Sequence, residues 1–455
     1  MGTYNPAPYQ LDLNEWPNMV CPPPGPKSTA LHERCCTYFK GLSGQVKLFP
    51  VAFEEGSGCT LTDVDGNKYI DFSSGIYVTT LGHCHPKVTE AVQKYAAKLM
   101  NCHDFTTEIK TRLVEKMAQC LPGDLKGFQF YECGTAAVEA GLRVCRAATG
   151  KHEFVSAFYD FHGKTYGAVS LAHIRSDVYG PTRAPGFHMV PRPNPYRPHW
   201  TKCDGTIDTD KYIEFYEEYL DRGTAHQVAA FVLEPIQGWG GSVMPPDDFF
   251  PKLRKLCDEQ DILLFADEVL TSMGRTGKFL CMEHWDVLPD VVTLGKGFGN
   301  GFPVTAVAVR EKHMESFESI SASSSYGGNP MASAAALACF EVIEEEGLLE
   351  HADELEKLFS ERMAAWKDRF RMVGDVRCKG CLMGVELVKD KATKEPFDEA
   401  GKMVYQKAFR NGLAWIPAGH ILRMSPPIVM PNEVAHKAMD IIEEALAETE
   451  RELLG

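Results

Sequence analysis

Between residues 76 and 340, short apolar runs alternate with stretches whose apolar residues recur at helical spacing. Val228–Leu233 is uninterrupted apolar, as a strand buried on both faces of a parallel sheet must be. Phe249, Leu253, Leu256 and Cys257 then share one face of a helix, and Ile262–Ala266 is the next apolar run. Strand, helix and strand in that order predict a βαβ unit. The two runs lead into Glu234 and Asp267. Two carboxylates are thus expected at the carboxyl ends of strands, where open α/β sheets bind ligands. Val291–Leu294 is a further short strand, and Gly134 opens a helix through Arg146 with Val138, Leu142 and Cys145 as its apolar stripe.

Outside that region the pattern changes. Asp63-Val64-Asp65-Gly66 reads as a turn between two short strands. Beyond residue 340 come charged helices, over Glu344–Arg369 and again around Val434, Ala438, Ile441 and Ala445, with strands expected at Leu382–Leu387 and Ile421–Met424. This predicts an N-terminal arm and part of a small domain over residues 1–75, a large domain over 76–340, and a C-terminal small domain over 341–455. A chain of 455 residues is too long for one core, so more than one packed domain is expected anyway.

Composition narrows the function classes. The formal net charge is −15 with no long basic run, which does not suit a nucleic-acid binder. The Pro-rich stretch Met1–Pro26 has neither the apolar core of a signal peptide nor that of a membrane segment. Fifteen cysteines, an odd number without a framework of spacings, predict a reduced, cytoplasmic protein.

Four features carry candidate chemistry. Thr293-Leu294-Gly295-Lys296-Gly297 sets a lysine among glycines just past a strand, where its amine can form an imine with a carbonyl ligand; an exposed loop lysine has the same local pattern. Asp267, in Asp267-Glu268-Val269, needs a cationic or hydrogen-bonding partner if buried, and either a protonated ring nitrogen or the next element's backbone supplies one. Gly134-Thr135 at a helix start offers backbone N–H groups to an anion or makes a plain cap. Phe161-His162-Gly163, within Phe158–Thr165, presents an aromatic ring for stacking or for core packing. The glycines around Lys296 match neither a dinucleotide loop nor a P-loop.

Taken in order, these features resemble the class III aminotransferases, pyridoxal-5′-phosphate enzymes of fold type I. The likeness spans about Phe53 to Leu446. It includes Asp65–Asp71, Leu81-Gly82-His83-Cys84-His85-Pro86, Glu234-Pro235-Ile236-Gln237-Gly238, Gly274-Arg275-Thr276-Gly277, Gly327-Gly328-Asn329-Pro330 and Gly380–Leu387. The resemblance implies an α/β fold with a large domain, whose mixed, mostly parallel sheet is flanked by helices, and a smaller α+β domain built from both chain ends. It implies that Lys296 holds pyridoxal 5′-phosphate as a Schiff base and moves a proton, and that Asp267 binds the pyridine nitrogen. Phe161 and Val269 would cover the two ring faces, with His162 beside them. Gly134 and Thr135 would take the phosphate, and Ser325 would reach it from a neighbouring subunit, making a homodimer with shared sites. Glu234 would help hold Asp267 and the cofactor region.

Departures from the family bear on substrate. Trp239 stands where ω-amine enzymes carry a gating glutamate, while Arg423 keeps the arginine suited to a carboxylate. Ala136, Glu132-Cys133 and Leu270 replace common residues around the cofactor. Ile76 and Tyr77, with Trp239, are expected to form an aromatic-lined substrate wall. No metal is expected, because Cys378-x-x-Cys381 has no second ligand pair nearby. The function implied is amino transfer from glutamate or alanine to an ω-aldehyde or an oxidised amino sugar, by alternating half-reactions. A racemase or epimerase of the same family is the alternative, and a non-catalytic binding protein on this fold a distant third. The partners expected are small molecules, with neither nucleic acid nor membrane.

Overall fold

A computed structural model describes residues 2–172, 183–416 and 419–455. The chain divides into two compact units, residues 87–342 and residues 1–86 with 343–455.

The larger unit is built on seven strands: β1 (Leu125–Tyr131), β2 (Glu153–Ala157), β3 (Phe187–Val190), β4 (Val228–Leu233), β5 (Leu263–Glu268), β6 (Val291–Leu294) and β7 (Thr305–Arg310). Their order across the sheet is β1-β7-β6-β5-β4-β2-β3. All neighbours run parallel except β7, which is antiparallel to both β6 and β1. Alternation along each strand supplies two cores. Phe231, Leu233, Leu264 and Ala266 pack on one side with the helices Thr209–Gly223 and Phe249–Glu259. Ala230, Val232, Leu263 and Phe265 pack on the other with α1 (Gly134–Thr149). Glycine at position 141 lets α1 approach closely, since a Cβ there would lie 2.4 Å from the Phe265 ring. This is the fold-type-I architecture, a mixed sheet between layers of helices.

β4, β6 and the strands Leu382–Leu387 and Ile421–Met424 have the bounds expected from their apolar runs. β5 runs further than expected, through Asp267 and Glu268. A hydrophobic pattern ends at the first carboxylate, whereas the backbone ladder continues: Asp267 pairs with Thr293 and Glu268 with Leu294. The expected helix over 344–369 is two helices, Pro330–Glu345 and Leu348–Arg369. Gly347 separates them in a left-handed conformation (φ 62°), which glycine adopts at little steric cost.

The smaller unit has two sheets. Phe53–Ser57, Thr60–Asp63 and Lys68–Asp71 form an antiparallel meander, with Leu413–Ala414 added parallel to the third strand. Val373–Lys379, Leu382–Leu387 and Ile421–Met424 form the other. The turn at Asp63 is closed by its own side chain, whose carboxylate accepts from the backbone of Asp65 and Asn67, a local device of Asp in turns. Among the described residues no helix is long and apolar enough to cross a membrane.

Candidate active site

The β5–β6 pairing sets the centre of the site. Asp267 stands opposite Thr293, whose hydroxyl donates to Asp267 Oδ1 at 2.8 Å. The Val269 backbone N–H donates to the same oxygen at 3.2 Å. His162 Nδ1 donates to Oδ2 at 2.8 Å. A carboxylate has about four acceptor positions, so among the described residues' hydrogen bonds one remains for a further N–H donor.

His162 is fully enclosed, and burial opposes its charge. Asp160 and Asp267 on either side outweigh burial and push its pKa up to about 10. It is therefore a cation at neutral pH. Asp160 is itself held by Gln237 Nε2 at 2.7 Å and by the guanidinium of the buried Arg192 at 3.4 Å.

Lys296 lies two residues past the end of β6, in a left-handed backbone conformation (φ 47°) that is unusual for a residue with a Cβ. Val269 lies between the start of α1 and the segment leading to Lys296. A Cβ on Gly134 would come within 3.2 Å of Val269 Cγ1, and one on Gly295 within 3.0 Å. A side chain at either position would make Val269 give way by a few tenths of an ångström, so the two glycines favour this close approach of Val269, α1 and the lysine's base.

Glu234, at the end of β4, accepts from the Phe161 N–H at 2.8 Å and from the Gly238 N–H at 3.0 Å. Its hydrogen bonds thus fasten Phe161 and the turn into Trp239, whereas Asp267 is held by His162, Thr293 and Val269. The Phe161 and Trp239 rings lie 6.1 Å apart. Burial and the nearby Asp160 push the Glu234 carboxyl up to about 7, against the pull of His162.

At the start of α1, no side chain caps the helix, so the N–H groups of its first turn face outward as an anion site. The hydroxyls of Thr135 and Thr165 are 2.6 Å apart beside it. Ser325 is exposed. Its carbonyl accepts from Asn101 Nδ2 at 2.9 Å, and the neighbouring Ser324 hydroxyl donates to Glu132 at 3.1 Å, tying this loop to the segment after β1.

Ile76, Tyr77 and Arg423 are brought together in the smaller unit, where they line one cleft with Ser73, Ile416 and Ser425. Four successive residues, Ser74 to Tyr77, are left-handed, with φ between 49° and 66°. The three that carry a Cβ cost roughly 1–2 kcal/mol each. Asp71 offsets this by accepting from the Ser73 and Ser74 backbone at 2.9 and 3.1 Å. The Ser74 hydroxyl donates to the Ser425 carbonyl at 2.7 Å.

Sequence reasoning gave no role to Asp160, Thr165, Glu139 or Thr293. The first two stood in plain view within Phe158–Thr165, and Thr293 beside the lysine, but only pairing across strands and loops reveals their partners.

The family model described as aminotransferase class-III matches residues 42–446. The chain belongs to the class-III aminotransferases. Alanine/serine racemase from Pyrococcus horikoshii is 36% identical over 98% of this chain and 96% of its own. Acetylornithine aminotransferase from Methanopyrus kandleri is 36% identical over 88% of this chain and 95% of its own. Among solved structures, the omega transaminase from Pseudomonas jessenii in complex with PMP is 25% identical with a TM-score of 0.87, covering 93% of this chain and 99% of that one. Pyridoxal 5′-phosphate is the cofactor of this class-III aminotransferase. The residues present fit it: Asp267 has an acceptor position open for a pyridinium N–H, Lys296 adjoins that strand pair, and the uncapped start of α1 suits a phosphate.

Proposed function

We propose that the enzyme transfers the amino group of an α-amino acid, glutamate or alanine, to an ω-aldehyde or oxidised amino sugar in alternating half-reactions. The observation that carries the reading is the open acceptor position of Asp267 in register with the strand that delivers Lys296. When bound, the cofactor supplies an aldehyde that captures amines and a ring that withdraws electrons from the carbon beside them. Asp267, with His162 beside it, keeps a proton on the ring nitrogen, which sustains that withdrawal. Phe161 and Val269 would cover the ring, and Glu234 fixes Phe161. Gly134 and Thr135 bind the phosphate, joined by Ser325 from the second subunit. Lys296 would hold the cofactor through its amine, and the same amine would carry the proton to and from the substrate carbon. Arg423 grips a donor's carboxylate with Ile76 and Tyr77 beside it in the cleft of the smaller unit, and Trp239 offers an apolar wall on the larger unit.

A homodimer is supported by the exposed Met100, Phe105 and Tyr326 of the larger unit, since apolar side chains of that size favour a covered surface. Fifteen cysteines, all free, support a reduced cytoplasmic setting.

The relative named alanine/serine racemase favours a second reading, in which the enzyme interconverts amino-acid enantiomers and moves no amino group. One experiment separates the two. Given L-glutamate or L-alanine alone, a transaminase loses its visible absorbance and releases one keto acid per site. A racemase keeps its colour and yields the D-enantiomer. If neither happens, and Lys296→Ala retains the borohydride-fixable absorbance of the wild type, the assignment of Lys296 fails.

A further inference from the structure

The hydroxyls beside the start of α1 form a chain with one direction. Glu139, about one and a half turns into the helix, accepts from the Thr165 hydroxyl at 2.6 Å. The same oxygen accepts from the N–H groups of Gly167 and Ala168 at 2.8 and 3.1 Å. A hydroxyl has a single proton to give, and Thr165 gives it to the carboxylate. Across the 2.6 Å contact with Thr135, Thr165 is therefore the acceptor and Thr135 the donor. The Thr165 N–H donates back to the Thr135 hydroxyl at 3.3 Å. Gly163 (φ 136°) closes over this pair, since a Cβ there would lie 2.3 Å from Thr135 Oγ1. Thr165 precedes the helix Tyr166–Leu171 without capping it through its side chain; Glu139 does that instead.

We propose that Glu139 is a positioning residue for the cofactor's phosphate: acting through Thr165, which takes the Thr135 hydroxyl proton, it orients Thr135 so that its backbone N–H is left to the phosphate, and it pins the segment carrying Phe161 to the start of α1. The inference rests on the reading that Gly134 and Thr135 receive the phosphate. It adds a residue that touches neither cofactor nor substrate, and couples the phosphate end of the site to the aromatic face. Thr165 is the link, because it alone of Glu139's partners bonds to Thr135.

Three variants of the full enzyme test it: Thr165→Val, Glu139→Ala and Glu139→Gln. Each is stripped of cofactor and titrated with pyridoxal phosphate, with inorganic phosphate as competitor, and melted in parallel. Thr165→Val is nearly isosteric, keeps both backbone bonds to Glu139, and removes only the hydroxyl link. It is expected to raise the cofactor Kd by about tenfold, the scale of one hydrogen bond to a charged group, to weaken competition by phosphate similarly, and to leave melting nearly unchanged. Glu139→Ala should raise Kd at least as much, with partial rescue in Glu139→Gln, whose amide oxygen still accepts from Thr165. If Thr165→Val binds cofactor and phosphate like the wild type while Glu139→Ala only melts earlier, Glu139 is merely a helix cap and the inference is overturned. A loss of cofactor affinity with unchanged phosphate competition overturns it too. If the wild type takes up no cofactor at all, the underlying site reading falls first, and this inference with it.

Discussion

Replacing His162 by asparagine gives the sharpest test of the charge arrangement around Asp267. The side-chain amide of asparagine can keep a donor near the position of His162 Nδ1, so mainly the positive charge is lost. The folded imidazole titrates at about 10, against an ordinary 6.5. Because the folded value is the higher, its contribution to stability is complete below about pH 6.5 and disappears as pH rises through about 10. Linkage then gives at most about 3 kcal/mol at about pH 8 and well under about 1 kcal/mol at about pH 10. Both proteins carry Glu234→Gln in this comparison, because His162 pulls the Glu234 carboxyl down from a value already raised to about 7 and its loss would move that titration into the same window. Urea unfolding of this cofactor-free pair, with and without His162→Asn, should therefore show a stability gap that narrows by roughly 2 kcal/mol between these two pH values. A gap that stays constant or widens would mean that His162 is neutral when folded, and the cation between two carboxylates would be wrong.

Other outcomes follow from the same geometry. Gly163→Ala places a methyl 2.3 Å from Thr135 Oγ1 at a backbone angle that disfavours side chains. It should cost about 1–3 kcal/mol in thermal unfolding and weaken cofactor retention on dialysis. Phe265→Ala opens a cavity beneath α1, where the ring is fully buried. About 3–5 kcal/mol of stability should be lost, with the remaining folded protein still able to bind cofactor. Arg423→Lys removes the bidentate fork from a buried guanidinium. KM for a carboxylate donor should rise roughly 10- to 100-fold with little change for an amine that lacks a carboxylate; equal effects on both would remove Arg423 from donor recognition.

Much of this molecule is legible from its residues. An uninterrupted apolar run marked β4 to the residue, because strands buried on both faces admit little else, and β6 was marked to the residue with Thr293 its one polar position. Lysine among glycines after one strand, and aspartate after another, pointed to the reacting centre and, through their order, to the family. What the one-dimensional pattern missed were groups defined by a partner far along the chain. Asp160 and Asp267 make His162 a cation only because the loop after β2 folds onto the end of β5. Glu234 is spoken for by the backbone of Phe161 and Gly238, which spacing does not reveal.

Sequence by itself marked several strand and helix segments and singled out Lys296 and Asp267 as the candidate cofactor lysine and its aspartate, since periodicity and residue chemistry are local properties. Tertiary structure decided which oxygen accepts from which donor, how closely Gly134 and Gly295 pack against Val269, and that Ser74–Tyr77 is held in a left-handed turn. Those are matters of distances of a few ångströms between residues remote in the chain, and only packing sets such distances.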